Sequence, residues 1–368
     1  MVEDAWYLAL LQTAPSWRER IVVKLMAQKG RARQAWKASK RDLLLSGFFA
    51  AEEAEAFCRF REKIDVETVF QKWKQQGISC LTLSSPEYPG LLRQIHHPPR
   101  VLFIKGSLAQ LPERLVAIVG SRKASPYGKN VAERLGEDLA SAGVAIVSGA
   151  ARGIDSAAHR GCLQQKGKTI AVLGCGIDVV YPPENRELLQ EIVATGGCVM
   201  SEYAPGTQPR PQFFPARNRI IAGLAQATIV VEAHEKSGAL ITADMALDEG
   251  REVLAVPGSV FSPGSKGPHH LLQQGAALVE NGDDVLQACG WEDAGAKAVL
   301  QGIPLDNEEE KKVWNLLSSG TLRHIDELAA TGELEWTQLQ YTLLCLELKG
   351  LVRKEGHRYG RTAKEVIW

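Results

Sequence analysis

The chain has 368 residues, of which 45% are hydrophobic and 23% are charged, a composition typical of a globular protein with two or three domains. Its 43 Lys and Arg are matched by 43 Asp and Glu, so net charge gives no sign of a polyanionic partner, and any such site requires local clustering. No apolar stretch approaches the roughly 18–20 residues of a membrane helix, and acidic residues near the start disfavour a signal peptide, which together predict a cytoplasmic protein without membrane contact.

The seven cysteines are scattered, odd in number and never in C-x-x-C spacing. This pattern predicts reduced, mostly buried thiols rather than a disulfide framework or a zinc site. The histidine pairs at 96–97 and 269–270 are unsuited to one metal ion, because adjacent side chains diverge. We therefore expect neither a metal nor a cofactor.

Residues 1–75 carry a helical pattern, with apolar residues at helical spacing and frequent alanine. Between residues 18 and 41 a run of Lys and Arg is opposed only by Glu19. We interpret this run as the solvated face of a small helical domain, with an accessory phosphate contact as the alternative.

Residues 79–290 alternate short β-branched runs with amphipathic helical stretches. Strands are predicted at 115–119, 144–147, 169–173, 198–200, 228–231, 252–256 and 277–279. Such continuously apolar strands joined by helices indicate an α/β fold, with a doubly wound, mainly parallel, Rossmann-like sheet covered on both faces. The functional crevice of such a sheet lies beyond the carboxyl ends of its strands.

The C-terminal part begins with a linker, predicted at residues 291–305 from its glycines and alanines. Residues 306–368 then show two helices, a third helix in the position of a recognition helix, and a short β-wing. This is the order of a winged-helix domain, and its tail is basic. Winged helices bind DNA or dock proteins, and both interpretations remain open.

Glycine-rich turns after the strands are the first chemical signal. In the turn Gly120-Ser121-Arg122, glycine allows close approach to a phosphate, the N–H groups and helix dipole favour an anion, and Arg122 offers a charge-assisted hydrogen bond. Similar turns supply Gly149, Arg152, Gly153, Gly174, Gly176, Ser237 and Gly238. Together they predict a row of anion sites along one sheet edge, although each turn alone is equally a tight loop.

The segment 206–223 is the second signal, because it combines three arginines with two adjacent aromatic residues on a Pro-rich loop before a helix. The candidate binding residues here are Arg210, Arg217, Asn218 and Arg219, with either Phe213 or Phe214 as the stacking ring. Cations that follow a backbone beside a ring that stacks on bases suit single-stranded nucleic acid, at ~1–3 kcal/mol per stacked base. We expect one of the two phenylalanines to fill the core beneath the loop.

Catalytic and nucleotide-binding patterns are weak. A dinucleotide site needs G-x-G-x-x-G, but Gly174-Cys175-Gly176 lacks the third glycine, and the P-loop, H-E-x-x-H and G-x-S-x-G patterns are absent from the sequence. Four carboxylates follow predicted strands: Asp155, Asp178, Glu202 and Glu232. We interpret them as groups that hold arginines such as Arg152 or Arg217, rather than as catalytic groups.

Ordered strings along nearly the whole chain resemble the DNA-processing protein A family, DprA, also called Smf. The most specific are VGSR, SGAARGIDSAAHRG, LGCGIDVVYPPEN, FPARNRIIAGLA and EAHEKSGALITADMALDEGREVLAVPG. The resemblance implies a non-enzymatic, sequence-independent binder of single-stranded DNA that forms a homodimer and loads the recombinase RecA during natural transformation. It also implies an extended Rossmann-like domain between an N-terminal helical, SAM-like domain and a C-terminal winged helix.

The resemblance assigns phosphate binding to Gly120–Arg122 and base stacking to Phe214. Two lysines of the family fall at Pro183 and Pro211 here, so the second half of the DNA contact departs from the family pattern, with Arg210 beside Pro211. The family's dimer contacts map onto His269, Leu272 and Leu278. From the residues alone, this segment is an ordinary amphipathic helix packed on its own sheet.

Two other functions are weighed against this one. The alternative is a nucleotide-monophosphate phosphoribohydrolase of the lysine-decarboxylase-like Rossmann group, whose P-G-G-x-G-T-x-x-E pattern corresponds here to EKSGALITAD, with no clear glutamate in place. A duplex-DNA regulator that acts through the winged helix is weaker, because residues 337–349 are rich in leucine and offer few base-reading side chains.

Overall fold

The computed structural model describes residues 2–14, 24, 30–291, 303–305, 307–317, 322–332, 335–361 and 366–367. The chain forms two compact units, residues 1–291 and residues 292–368. Most of the predicted linker lies outside the described residues. Among those described, no helix has the length and apolar character needed to span a bilayer.

The described N-terminal segment is helical. Its helices are α1 (Val2–Gln12), α2 (Ala32–Trp36), α3 (Lys40–Leu45), α4 (Ala51–Glu62) and α5 (Val66–Gln75). The Trp73 ring lies 5.6 Å from that of Trp6 and 5.8 Å from that of Phe103 in the sheet, so helices and sheet share one core. The predicted boundary near residue 75 therefore marks where the helical segment ends and the sheet begins. It does not divide two separate hydrophobic cores.

The basic run of this segment is exposed at every position that the structure describes: Lys24, Arg31, Arg33, Lys37, Lys40 and Arg41. This exposure agrees with a solvated face. The remaining basic residues of the run, Arg18, Arg20 and Lys29, lie outside the described residues.

A nine-stranded sheet forms the centre of the first unit. Its strands are β1 (Ser79–Thr82), β2 (Val101–Gly106), β3 (Leu115–Val119), β4 (Ala145–Ser148), β5 (Thr169–Leu173), β6 (Cys198–Ser201), β7 (Ala227–Val230), β8 (Glu252–Ala255) and β9 (Ala277–Leu278). The strand order is β1-β2-β6-β5-β4-β3-β7-β8-β9, and β3 to β9 are parallel while β2 pairs antiparallel with both its neighbours. The predicted mainly parallel sheet is confirmed. Because the chain winds from β3 to one side and then restarts at β7 on the other, the switch point lies between β3 and β7.

Helices cover both faces of the sheet. They are α6 (Gly90–Arg93), α7 (Pro126–Ser141), α8 (Ile154–Gln164), α9 (Arg186–Ala194), α10 (Phe213–Leu224), α11 (Gly238–Asp248), α12 (Lys266–Gln273) and α13 (Gly282–Ala288). In β3, Val116 and Ile118 pack towards α7 and α8, whereas Ala117 and Val119 pack towards α10 and α11. Burial on both faces explains why the strand sequences are continuously apolar.

Helices α7 and α8 pack unusually closely. A Cβ on Gly161 would lie 1.8 Å from the carbonyl oxygen of Glu133, and one on Gly136 would lie 2.5 Å from that of Ala158. Since α7 and α8 follow the turns after β3 and β4, this close packing fixes the position of both turns at the sheet edge.

The seven cysteines are free thiols. Three are buried, namely Cys162, Cys175 and Cys198, and the other four are half-buried. The expectation that most are buried was therefore too strong, because the other four lie on elements that border solvent.

The second unit has the predicted winged-helix order. Its elements are β10 (Ile303–Pro304), α14 (Glu308–Leu316), β11 (Arg323–His324), α15 (Ile325–Gly332), α16 (Trp336–Leu348), β12 (Val352–Glu355), β13 (Arg358–Arg361) and β14 (Val366–Ile367). Strands β11, β13 and β12 form the antiparallel wing, and α16 occupies the recognition-helix position. Val313, Leu328, Leu339 and Leu346 form its core.

Candidate nucleic-acid interface

A cleft of about 590 Å³ opens at the switch point, beyond the carboxyl ends of β3 and β7. Its walls are the turn after β3, the first turns of α10 and α11, and the loop after β7. The parallel-sheet prediction placed the functional crevice at this edge.

The turn after β3 is held by its neighbours. The Ser121 N–H donates to the Glu232 carbonyl oxygen at 2.7 Å, and the Lys123 N–H donates to the Ser121 hydroxyl oxygen at 3.1 Å. A Cβ on Gly120 would lie 2.9 Å from the same Glu232 oxygen, so only glycine allows this approach. These contacts fix the backbone from which the exposed Arg122 side chain projects.

Arg122 faces an aromatic ring. Its guanidinium carbon lies 4.7 Å from the Phe214 ring centroid, a cation–π contact. The Tyr181 ring lies 5.5 Å from that of Phe214, at an interplanar angle of 40°. A Cβ on Gly174 would lie 2.9 Å from the ring, so Gly174 seats Phe214 rather than binding an anion. Sequence reasoning missed Tyr181, whose only signal was its place in the loop after β5.

The two phenylalanines face different sides of α10. Phe213 stacks on Tyr203 at a centroid distance of 4.2 Å, and the Arg210 guanidinium carbon lies 5.8 Å from the Phe213 ring centroid. Both phenylalanines are half-buried and neither belongs to a core cluster, so the expectation that one fills the core is wrong. The reason is that α10 begins at Phe213, on the rim of the cleft, and successive helical residues point about 100° apart.

Arg217 forms the floor of the cleft. It is only 3% exposed, and its guanidinium donates to the Val172 carbonyl oxygen. Burial lowers the pKa of Arg217 to about 10, although the nearby Asp155 opposes the shift. Gly149 leaves room for it, because a Cβ there would lie 2.0 Å from Nη1. The direct phosphate grip predicted for Arg217 is therefore corrected to a supporting role beneath the cleft.

Asp155 is buried and accepts hydrogen bonds from the N–H groups of Gly149 and Ala151, at 3.1 Å and 3.3 Å. Burial raises the pKa of Asp155, while the Arg217 charge and these hydrogen bonds oppose the rise. Asp155 therefore ties the turn after β4 to α8.

Two predicted arginines lie outside the main cleft. Arg219 pairs with Glu202 at 2.5 Å and donates to the His97 carbonyl oxygen at 3.0 Å, in a second cleft that also contains Phe213. Arg152 pairs with Glu184 and borders a small cavity beside the Phe214 ring. The holding role predicted for Glu202 is present, but its partner is Arg219.

Of the remaining predicted residues, some line the cleft and others hold the backbone around it. The Ser237 hydroxyl accepts the Ala239 N–H at 3.3 Å at the start of α11, and the Asn218 amide donates to the Gly238 carbonyl oxygen at 3.1 Å, all beside the cleft. Gly153 has φ +78°, and a Cβ there would lie 2.2 Å from the Ser121 carbonyl oxygen, so it packs α8 against the turn instead of lining the cleft.

The exposed charges of the described cleft lining are positive. Arg122, Lys123 and Arg210 are exposed, whereas the carboxylate that borders the cleft, Asp155, is buried. The cleft is therefore suited to a polyanion that also offers a flat surface to Phe214. Lys123 was missed, although it directly follows the predicted turn.

The residues assigned to a dimer contact lie at the far edge of the sheet. Leu278 is 49% exposed on the edge strand β9. Leu272 is half-buried against the core, and His269 Nε2 lies 3.0 Å from the Gly258 carbonyl oxygen. Only Leu278 of the three presents a largely open apolar side chain.

Comparison with known proteins identifies the family. The family model for DNA recombination-mediator protein A matches residues 79–290, and the model for the DprA winged helix domain matches residues 296–356. The chain belongs to the DNA recombination-mediator protein A (DprA) family.

Curated relatives and solved structures agree with this membership. The DNA processing protein DprA of Bacillus subtilis is 44% identical over 220 residues, which cover 60% of this chain and 74% of the relative. Protein Smf of Synechocystis sp. is 37% identical over 319 residues, covering 84% of this chain and 76% of the relative.

The crystal structure of DprA from Streptococcus pneumoniae matches with a TM-score of 0.65 and 38% identity, over 77% of this chain and 97% of that chain. DprA from Helicobacter pylori matches with a TM-score of 0.52 and 31% identity, over 57% and 94%. The latter structure was described for its single-stranded DNA binding mode.

Proposed function

We propose that this protein binds single-stranded DNA, irrespective of sequence, in the cleft at the switch point. The observation that carries the proposal is the exposed Arg122 guanidinium 4.7 Å from the half-buried Phe214 ring. The Ser121 and Lys123 N–H groups of the same turn have internal partners, so the proposal rests on the exposed side-chain cations and not on these N–H groups. A cation on the backbone path together with a ring that stacks on bases is the arrangement that binds unpaired strands.

Different residues of the cleft bind the phosphates and the base. Arg122, Lys123 and Arg210 bind phosphates, and Phe214 stacks on a base. The Asn218 amide, the most obvious base-reading group of the lining, is engaged with the Gly238 carbonyl oxygen. Because phosphates and ring faces are common to all nucleotides, this arrangement supports binding without sequence preference.

The proposed activity breaks no bond. The strand-end carboxylates have structural partners: Glu232 accepts from the Ser125 N–H at 2.9 Å, and Asp178 accepts from the Gly206 N–H at 2.6 Å. Glu202 holds Arg219. No observation on the described residues favours the phosphoribohydrolase alternative.

The wider proposal is that of a recombination mediator in the cytoplasm, which delivers bound DNA to the RecA recombinase during natural transformation and acts as a homodimer. Family membership supports the mediator role. The exposed Leu278 on edge strand β9 supports a contact between two copies. Sedimentation of a Leu278→Glu variant tests that contact, with dissociation to monomers as the expected result.

The decisive experiment compares wild type and Arg122→Ala by fluorescence anisotropy, using oligo-dT, mixed-sequence single strands and duplex DNA at several salt concentrations. Log K should fall with log salt by roughly 0.7 per neutralised phosphate, and Arg122→Ala should flatten this slope and weaken binding to every single strand alike. Arg134→Ala is the control, because Arg134 is an exposed arginine of α7 that lies near Asp138.

An unchanged affinity and salt slope in Arg122→Ala would show that the cleft is not the DNA site. Release of adenine from AMP by the wild-type protein would instead favour the hydrolase.

A further inference from the structure

The loop after β8 presents the most exposed large apolar side chain that the structure describes. Phe261 is 93% exposed, and its neighbour Val260 is 75% exposed. Tyr127, from the first turn of α7, is 51% exposed and donates its hydroxyl to the Pro257 carbonyl oxygen at 2.7 Å. We call Tyr127, Val260 and Phe261 the Phe261 platform.

The loop that carries Phe261 is held in place. The Phe261 N–H donates to the Ser259 hydroxyl at 3.3 Å, and the Ser262 N–H donates to the Ser259 carbonyl oxygen at 3.0 Å. At its base, His269 Nε2 lies 3.0 Å from the Gly258 carbonyl oxygen. Because this turn holds the ring in water, its apolar surface remains unfavourably hydrated. Stacking of the ring on a flat partner removes that surface from water and is therefore favourable.

The platform lies on the same sheet edge as the DNA cleft. Strand β8 is parallel to β7 and pairs with it, so both carboxyl ends meet at this edge, about 5 Å apart at the usual strand spacing. The two loops are also tied together, because the Ala233 N–H after β7 donates to the Gly264 carbonyl oxygen at 2.8 Å. Ser125, which donates its N–H to the Glu232 carboxylate at 2.9 Å, links the turn of Arg122 to this junction.

We propose that Phe261 is a second base-stacking site for the same DNA strand, which leaves the cleft along the carboxyl edge of the sheet. This inference rests on the proposed function of the cleft. It extends the binding site by at least one nucleotide beyond the base that stacks on Phe214.

The charges near the platform define its task. The Glu232 carboxylate accepts the Ser125 N–H at 2.9 Å, at the start of the helix that carries Tyr127. Burial together with the negative charges of Glu232 and Glu280 raises the pKa of Tyr127. A phosphate is repelled there, whereas a base is not. The platform therefore adds stacking, and the phosphates are bound within the cleft.

The test is a length series of oligo-dT, measured by anisotropy at several salt concentrations with wild type, Phe261→Ala, Phe261→Leu and Phe261→Trp. Phe261→Ala should weaken binding of long oligomers by about fivefold or more, with an unchanged salt slope, and should not affect oligomers too short to leave the cleft. Tryptophan should restore the affinity and leucine should not, because stacking requires a ring.

Leu45→Ala is the matched control, since Leu45 is 74% exposed on α3 of the N-terminal helices. If Phe261→Ala binds long oligomers as tightly as wild type while Arg122→Ala binds them more weakly, the proposed stacking on Phe261 is wrong and the proposed DNA site in the cleft stands. The same holds if Phe261→Ala impairs only the binding of a partner protein. Failure of wild type to bind single strands would overturn both proposals.

Discussion

The cleft and helix α16 both expose aromatic side chains, but their surroundings differ. At the cleft, Phe214 lies beneath Arg122, and the exposed charges of the described lining are positive. On α16, Trp336, Tyr341 and Leu344 are 46%, 69% and 52% exposed, yet the helix contains no Lys or Arg and follows Glu335. An aromatic ring alone therefore does not indicate a nucleic-acid site, because the strand that stacks on it also needs cations for its phosphates. The cleft on the same sheet edge supplies them for Phe214 and for the Phe261 platform, whereas α16 contains none.

This difference helps to decide whether the winged helix binds duplex DNA or docks a protein, a question that the order of its elements left open. A helix that reads duplex DNA needs side chains such as Arg, Lys, Asn or Gln directed at base edges. The exposed positions described on α16 are Trp336, Thr337, Gln340, Tyr341, Leu344 and Glu347, so Gln340 is the one group of this kind among them. We expect α16 to dock a protein rather than duplex DNA.

The largest effect is expected from Phe214→Ala. Loss of base stacking should weaken single-strand binding by ~1–3 kcal/mol, roughly five- to 150-fold. The adjacent Phe213→Ala is a matched control, because Phe213 stacks on Tyr203 away from the main cleft. Equal losses in both variants, measured by anisotropy, would contradict the assignment of one ring to the DNA.

A second prediction concerns the stability of the sheet beneath the cleft. Burial, with a contribution from the Arg217 charge, lowers the pKa of His159 to about 3. Because the folded pKa is below the unfolded value of about 6.5, the stabilisation by neutral His159 is present above pH 6.5 and is lost as pH falls. Calorimetry should show a loss of about 2 kcal/mol between pH 7 and pH 5 from this group.

His159→Gln should remove that part of the pH dependence, whereas His97→Gln, at an exposed position, should retain it. Identical pH dependence in wild type and His159→Gln would show that His159 is not held neutral. The unfolding transition of the winged-helix unit should be the same in both proteins.

A smaller effect is expected from Arg210→Ala. Arg210 is exposed at the cleft rim, so its loss should weaken binding by about two- to fivefold and lower the salt slope by about 0.7. Arg152→Ala should change the slope less, because Arg152 already pairs with Glu184. If Arg152→Ala changes the salt slope more than Arg210→Ala does, the phosphates follow the turn after β4 rather than the cleft rim at Arg210.

The smallest effect is expected from a Tyr341→Ala and Leu344→Ala double variant of α16. Both side chains are exposed, so the fold should be retained, and single-strand affinity should stay within about twofold. Duplex binding measured in parallel sharpens the comparison, since its loss in this variant would make α16 a DNA-reading helix after all.

Sequence reasoning succeeded where a local pattern carries the signal. The apolar strands and the glycine turns fall where the structure has them, because burial on both faces and close backbone approach each leave a local signature. The surroundings of individual α10 side chains were harder to predict from the sequence. Arg217 and Arg219 looked equivalent, yet one is buried beneath the cleft and the other pairs with Glu202 on the opposite side.

By itself, the sequence determined the parallel sheet, the winged-helix order and the edge at which polar turns meet, since hydrophobic periodicity and turn chemistry are local. Only the tertiary structure decided which ring of Phe213 and Phe214 faces Arg122 and which arginines remain exposed. Those outcomes depend on the rotation of α10 against the sheet and on partners such as Glu184 and Glu202, which lie distant in sequence.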